Sequence, residues 1–286
     1  MDGIILLDKP IGKTSREMCN EIGKIFHTKK VGHVGTLDPF ASGLLIIAFN
    51  KATKSVTFFD ESIKEYEAEI VLGKETDTLD NTGKLIKEEK IREYSLEEIN
   101  NALNSFLGEI EQVPPLTSAI HVNGKRLYEY AHKGETVEIP SRKVFVHEIK
   151  LLSYEEHILR IYAKVSKGTY IRTLGNDIAK KLGTVGYLSS LKRVGVSPFT
   201  IKETASFDEI KEGKAKIYSS FEILSRIMKV VSFDNQKIED IKNGKITYLD
   251  LTSEEDRILV VDYFSNPIAV YTKDEQGRFK FTRGMF

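Results

Sequence analysis

The sequence predicts an α+β protein: one mixed, largely antiparallel sheet flanked by helices, followed by a small β-rich unit. Three observations carry this. Strand-like apolar runs and amphipathic helical stretches succeed one another without the steady strand-helix-strand rhythm of a parallel sheet. Near Lys229 the pattern changes to brief strand-like runs around one short helix. The length of 286 residues, with 41% hydrophobic and 29% charged, suits a large domain plus a small appendage.

The elements follow in order. Residues 3–7 are an apolar run suited to a buried strand, and Pro10 and Gly12 then break the chain into a turn. Ser15 is placed to cap a helix over 16–26, where Met18, Ile22, Ile25 and Phe26 recur at helical spacing. Residues 29–43 carry three glycines and a proline without periodicity and read as a loop, the kind of segment where chemistry sits; 44–49 read as a buried strand. From Tyr66 to Leu72 alternate side chains are apolar, a half-buried strand with Tyr66 on the core side, and 77–83 is a turn-rich loop. Ser95 and Glu98 form a capping box ahead of a helix whose Leu96, Ile99, Leu103, Phe106 and Leu107 share one face.

Residues 112–142, with Pro114, Pro115, Gly124, Gly134 and Pro140 around a short Tyr-containing helical stretch, read as a long excursion from the core. Strands over 144–152 and 158–165, a helix over 171–182 and a strand over 187–196 complete the large unit. The domains are therefore read as 1–228 and 229–286. In the second, a helix over 235–243 is closed by Gly244 and strands are expected over 258–264, 268–272 and 278–281.

Composition narrows the function classes. Cys19 is the only cysteine, so an internal disulfide and a cysteine metal cluster are both excluded. The first residues lack the basic region and apolar length of an export signal, and the longest apolar run is about a third of the roughly twenty residues of a membrane span. A cytoplasmic protein with no membrane partner is expected, and nothing demands more than a monomer. The net charge of zero hides an uneven distribution: residues 160–193 hold eight basic side chains and one acidic, whereas 60–111 hold fifteen acidic and six basic. The basic stretch could track phosphates. The six histidines show no paired short spacing of a zinc enzyme, and no phosphate-binding glycine loop occurs, so neither metal nor cofactor is expected.

One string stands out. In Gly32-His33-Val34-Gly35-Thr36-Leu37-Asp38-Pro39-Phe40-Ala41-Ser42-Gly43, a carboxylate is held between a glycine-rich approach and a proline that fixes its exit. Extended by Leu44-Leu45, this string resembles the first signature of the TruB family, the tRNA pseudouridine 55 synthases. Asp8-Lys9-Pro10 with Gly12, Thr14 and Ser15 is similar to the family's opening motif, Lys64-Glu65-Tyr66 with Ala68 to its second, and 166–174 to its third, continued by 188–193 and Gly195. These run in family order to about Phe199.

The resemblance implies the pseudouridine synthase fold with a PUA-like C-terminal domain, and isomerisation of uridine 55 in the T-stem-loop of tRNA. Asp38 matches the aspartate that attacks the substrate, and Arg172 the arginine that pairs with it, lowering its pKa and fixing its rotamer. Tyr66 matches the tyrosine that stacks on the flipped base and handles its proton, and Tyr170 lines the same pocket. Leu191 matches an apolar residue packing on sugar or base. His33 matches a histidine that fills the space left by the extruded nucleotide, Lys54 is read as a phosphate contact, and Lys9 with Pro10 as a support for the loop. Residues 112–142 resemble the family's RNA-gripping insertion, with His121 and His132 where a lysine and an arginine are commoner; Val165 likewise replaces a frequent cysteine. An alternative of another class is a tRNA-folding chaperone that needs only the RNA-binding surface. A guide-RNA-dependent subunit is a further alternative, and no guide RNA is expected because the tail is short.

Overall fold

The strands over 3–9 and 42–49 form from runs that are apolar on both faces. The computed structural model describes residues 1–59, 63–118, 120–122, 124–127, 129–130, 135 and 137–286. Its strands are β1 (Gly3–Lys9), β2 (Val31–Val34), β3 (Ser42–Phe49), β4 (Lys64–Leu72), β5 (Lys74–Thr76), β6 (Leu85–Glu88), β7 (Gly108–Gln112), β8 (His121–Val122), β9 (Lys125–Arg126), β10 (Arg142–Glu155), β11 (Ile158–Val165), β12 (Gly186–Val196) and β13 (Phe199–Thr200). The C-terminal unit adds β14 (Lys229–Ser232), β15 (Tyr248–Leu249), β16 (Arg257–Val261), β17 (Pro267–Lys273) and β18 (Phe279–Gly284). The helices are α1 (Ser15–Ile25), α2 (Leu96–Asn104), α3 (Ile171–Lys181), α4 (Phe207–Lys211), α5 (Ser220–Leu224) and α6 (Asn235–Lys242), with a 3-10 helix over Asn50–Phe59.

The large sheet runs β1-β3-β12-β4-β11-β10-β7, with β2 on β3 and β13 on β12. All its pairings are antiparallel except β3 with β12, where Ser42 and Gly43 lie beside Lys192 and Arg193. Alternate residues of β3 enter two cores: Leu45, Ile47 and Phe49 pack with α1 residues Met18 and Ile22, while Leu44, Ile46 and Ala48 face Phe59, Phe199 and Ile223. Burial on both faces explains why 44–49 reads as an unbroken apolar run rather than an alternating one. Each fully buried large apolar side chain contributes about 1.5–3 kcal/mol relative to exposure.

Residues expected to be a loop form an additional strand: β2 pairs along β3 from Val31 with Phe49 to Val34 with Ile46. Alternation in a four-residue strand is too brief to be read from sequence. Since β1 takes one edge of β3, β2 and β12 share the other, and residues 35–41 leave the sheet between them. Gly43 makes this junction possible. Its φ is +104°, and a Cβ there would stand 2.3 Å from the Arg193 carbonyl oxygen.

The cap of α1 also differs from expectation. Thr14, not Ser15, accepts from the Glu17 amide, and the Glu17 carboxylate returns to the Thr14 amide. Ser15 is the first helical residue and is buried, its hydroxyl accepting from the Leu37 amide at 2.9 Å and donating to the Leu37 carbonyl at 3.1 Å. The helix start thereby anchors the segment that carries Asp38.

The C-terminal unit is a five-stranded sheet, β14-β16-β17-β18-β15, with α6 covering it through Ile238 and Ile241. Phe58, Leu224 and Met228 pack against Leu259, Val261, Val270 and Met285, joining it to the large sheet's flank. In the excursion, β8 and β9 form a hairpin. The motif positions Ala119, Tyr128, Ala131 and His132 lie outside the described residues, as does part of the Tyr-containing stretch. Among the described residues no helix is long and apolar enough to cross a membrane.

Candidate active site

A cavity of about 670 Å³ opens where β4, β12, α3 and the loop between β2 and β3 converge; Asp38, Tyr66, Tyr170, Arg172 and Leu191 all line it. The pairing register puts three of its wall residues on one sheet face: Arg193 opposes Tyr66, and Leu191, two residues before Arg193, opposes Ala68. Tyr66 and Leu191 are nearly buried, leaving an edge of each toward the opening. The Tyr170 ring is covered by the Arg142 guanidinium at 4.8 Å from its centroid. That contact holds a further cation against the ring's face.

Asp38 ends a segment held at several points. Besides the Ser15 clamp on Leu37, the Ala41 amide donates to the Asp38 carbonyl and the Gly12 amide to the Pro39 carbonyl. Lys9 is buried and donates to the Pro10 and Lys13 carbonyls, which ties the neighbouring turn; burial pushes its pKa down to about 8. Within this frame Arg172 Nε meets Asp38 Oδ2 at 3.0 Å. Arg172 is reached from the first turn of α3, whose entrance Gln112 fixes by accepting from the Tyr170 amide and donating to its carbonyl.

Arg172 has a second carboxylate that the sequence reading missed. Its Nη1 lies 3.2 Å from Asp80 Oδ2 and also donates to the Thr117 hydroxyl at 2.7 Å and the Thr78 carbonyl at 3.1 Å. Asp80 is itself buried and accepts from the Thr82 amide, the Thr82 hydroxyl and the Thr78 hydroxyl. In sequence these residues are a polar turn, and only side-chain-to-backbone bonding of this kind marks Asp80 as structured rather than solvated. Thr117 comes from the excursion, so that segment contributes to the floor of the site.

The electrostatics differ from the expectation that the guanidinium lowers the Asp38 pKa. The net direction is upward: burial is the largest influence and Asp80 adds to it, while Arg172 and Lys9 oppose them. One arginine shared by two carboxylates cannot fully offset desolvation of both.

Two expected site residues lie elsewhere. His33 sits on β2, partly buried with Nδ1 unpartnered among the described residues, and burial together with the nearby Arg193 and Arg16 charges lowers its pKa. Lys54 sits on the 3-10 helix, donates to the Phe286 carbonyl, and its pKa is lowered by burial and by Lys30, Lys51 and Arg283. Neither lines the cavity.

The fold is the pseudouridine synthase fold. Over nearly the whole chain the fold matches the crystal structure of a Cbf5-Nop10-Gar1 complex, with a TM-score of 0.75, 23% identity, and coverage of 99% of this chain and 85% of that one. The family model described as TruB family pseudouridylate synthase (N terminal domain) matches residues 23–171. A protein named tRNA pseudouridine synthase B from Caldanaerobacter subterraneus subsp. tengcongensis is 42% identical over 247 residues, covering 86% of this chain and 84% of that protein. One of the same name from Bacillus cytotoxicus is 37% identical over 284 residues, covering 95% and 92%. The chain belongs to the TruB family of pseudouridylate synthases, and its activity is that of an isomerase.

Proposed function

We propose that this chain converts uridine 55 in the T-stem-loop of tRNA to pseudouridine, with Asp38 as the catalytic carboxylate. The observation that carries this reading is the Asp38–Arg172 pair at 3.0 Å on the floor of a cavity of about 670 Å³ walled by Tyr66, Tyr170 and Leu191. Such a cavity accommodates one extruded nucleobase.

The reaction breaks the bond from the ribose C1′ to N1 of uracil and forms a bond from C1′ to C5; the proton leaves C5 and N1 gains one. Each role open to the carboxylate, attack on the sugar, attack on the base or removal of a sugar proton, requires the ionised form. Arg172 favours that form and fixes the rotamer through a charge-assisted bond. Tyr66 stacks on the base and stands ready to move its proton, while Leu191 and the ring of Tyr170 close the apolar sides so that the detached uracil is retained. The strip of Lys30, Lys51, Lys54 and Arg283 meets RNA phosphates where the C-terminal unit (229–286) adjoins the catalytic unit (1–228). A bare stem-loop suffices as substrate, without a guide RNA.

The test is Asp38→Asn assayed for pseudouridine in a T-stem-loop transcript by selective chemical labelling, which adds mass to a product that is otherwise a mass-silent isomer of uridine. Turnover is lost, while thermal melting occurs at the same or a higher temperature, because the ionised carboxylate is disfavoured by its burial. Retained pseudouridine formation sinks the assignment.

A further inference from the structure

Buried positive charge in and around the catalytic cavity exceeds what the nearby buried carboxylates balance; Arg172 and Arg193 line the cavity, and Lys9 lies behind it. Lys9, Arg172 and Arg193 are all buried, yet the carboxylates of Asp38 and Asp80 both pair with Arg172. Arg193 is 0% exposed and held rigidly: Nε donates to the Leu44 carbonyl at 2.8 Å, and Nη2 to the Gly35 carbonyl at 3.0 Å and the Val34 carbonyl at 3.4 Å. Its Nη1 is buried without a hydrogen-bond partner among the described residues. A cationic donor left in that state is costly unless an acceptor arrives.

The surroundings of Nη1 indicate what arrives. Gly35 has a φ of +61°, and a side chain there would meet, outside its own chain neighbours, Arg193 Nη1 at 3.2 Å and Lys64 Cε at 3.3 Å. Gly35, Lys64 and Arg193 all line the cavity; Lys64 and Arg193 lie on β4 and β12 with Tyr66 and Leu191, whereas Gly35 opens the loop that carries Asp38. Two cationic side chains thus converge over bare backbone, next to the ring on which a base would stack. Uracil is neutral before reaction and does not call for such charge. An extruded nucleotide, however, brings its own phosphates with it, and guanidinium and ammonium groups match phosphate oxygens.

We propose that Arg193 and Lys64, with the backbone of Gly35 between them, form a phosphate subsite that takes one of the two phosphodiesters flanking the uridine to be isomerised. The inference rests on the pseudouridine synthase reading of the cavity. Because three N–H groups of Arg193 are already committed to backbone, the remaining ones are preorganised and little entropy is lost on binding.

The experiment uses stem-loop RNAs in which the linkage 5′ or 3′ to the target uridine is replaced by an uncharged methylphosphonate, assayed with the unaltered protein, Arg193→Gln and Lys64→Met. With the unaltered protein, one of the two linkages raises KM by about tenfold or more with kcat nearly unchanged, as expected for loss of a charge-assisted contact. With either variant the same neutral linkage adds less than about a twofold further change, because the interaction is already gone. Arg193→Gln also releases three carbonyls and is checked by thermal melting; Lys64→Met keeps the packing stem and closes the comparison without it. Neutral linkages that cost nothing in the unaltered protein, or cost the same in the variants, overturn the subsite. A loss confined to kcat in the variants, with no coupling to either linkage, overturns it too and points to charge on the uracil instead. Failure of the unmodified RNA to form pseudouridine would refute the broader reading, a result separate from normal turnover without phosphate coupling.

Discussion

Replacing Asp80 with asparagine probes the shared arginine. Asp80 Oδ2 lies 3.2 Å from Arg172 Nη1, with both side chains only 5% exposed. At that distance and an effective dielectric of about 20, the attraction is about 5 kcal/mol before desolvation is subtracted. Removing one member of a buried pair costs about 3–5 kcal/mol. Arg172 keeps Asp38, Thr117 and the Thr78 carbonyl, so the loss for Asp80→Asn falls near the lower end, about 3 kcal/mol. For a folding unit of this size that corresponds to a fall of roughly 6–12 °C in melting temperature. Loosening one charge-assisted bond on the guanidinium lowers kcat by roughly tenfold to a hundredfold.

The pH dependence has a definite sign. Burial and the Asp80 charge raise the Asp38 pKa, so activity falls with decreasing pH at a higher pH than an ordinary aspartate would dictate. With Asp80 neutralised, Asp38 ionises at lower pH and the acid limb of kcat/KM moves toward acid. Release of tritium from C5-labelled uridine reports each turnover, because the C5 hydrogen leaves when C5 bonds to the sugar. An acid limb that stays in place or moves toward neutrality, or an unchanged kcat in a destabilised variant, would refute the electrostatic account.

Tyr66→Ala removes the cavity wall and the stacking surface; turnover falls by more than about a hundredfold while RNA affinity changes little, since stacking of one base is worth roughly 1–3 kcal/mol among many phosphate contacts. Filter binding and product analysis on the same preparation decide it, and equal loss of both would make Tyr66 a structural residue. Cys19 is buried and its thiol is pushed up to about 11, so iodoacetamide at pH 8 modifies it slowly in the native protein and readily in guanidinium chloride. Equal rates in the two conditions would show that the α1 face opens in solution.

Much of the architecture could be read from local pattern. The unbroken apolar stretches at 3–7 and 44–49, the capping box at Ser95 and Glu98, and the change near Lys229 each correspond to an element of the fold. The failures have physical causes. β2 owes its strand conformation to the free edge of β3, a partner distant in space from any local propensity. Thr14 and Ser15 are both competent caps, and only the position of Leu37 decides that one caps while the other clamps.

Chemical identity and order are legible in the residues alone: an aspartate in a glycine-proline frame, an arginine at a helix start, a tyrosine on a half-buried strand, arranged in a family's succession. Folding settles which groups share partners. Asp80 and Thr117 reach Arg172 from turns 92 and 55 residues away in the chain, Arg193 is stripped of water beneath Gly35, and His33 and Lys54 lie outside the cavity. The physical reason is that desolvation and through-space charge depend on packing between segments remote in sequence, so the upward direction of the Asp38 pKa arises only once those segments have closed around it.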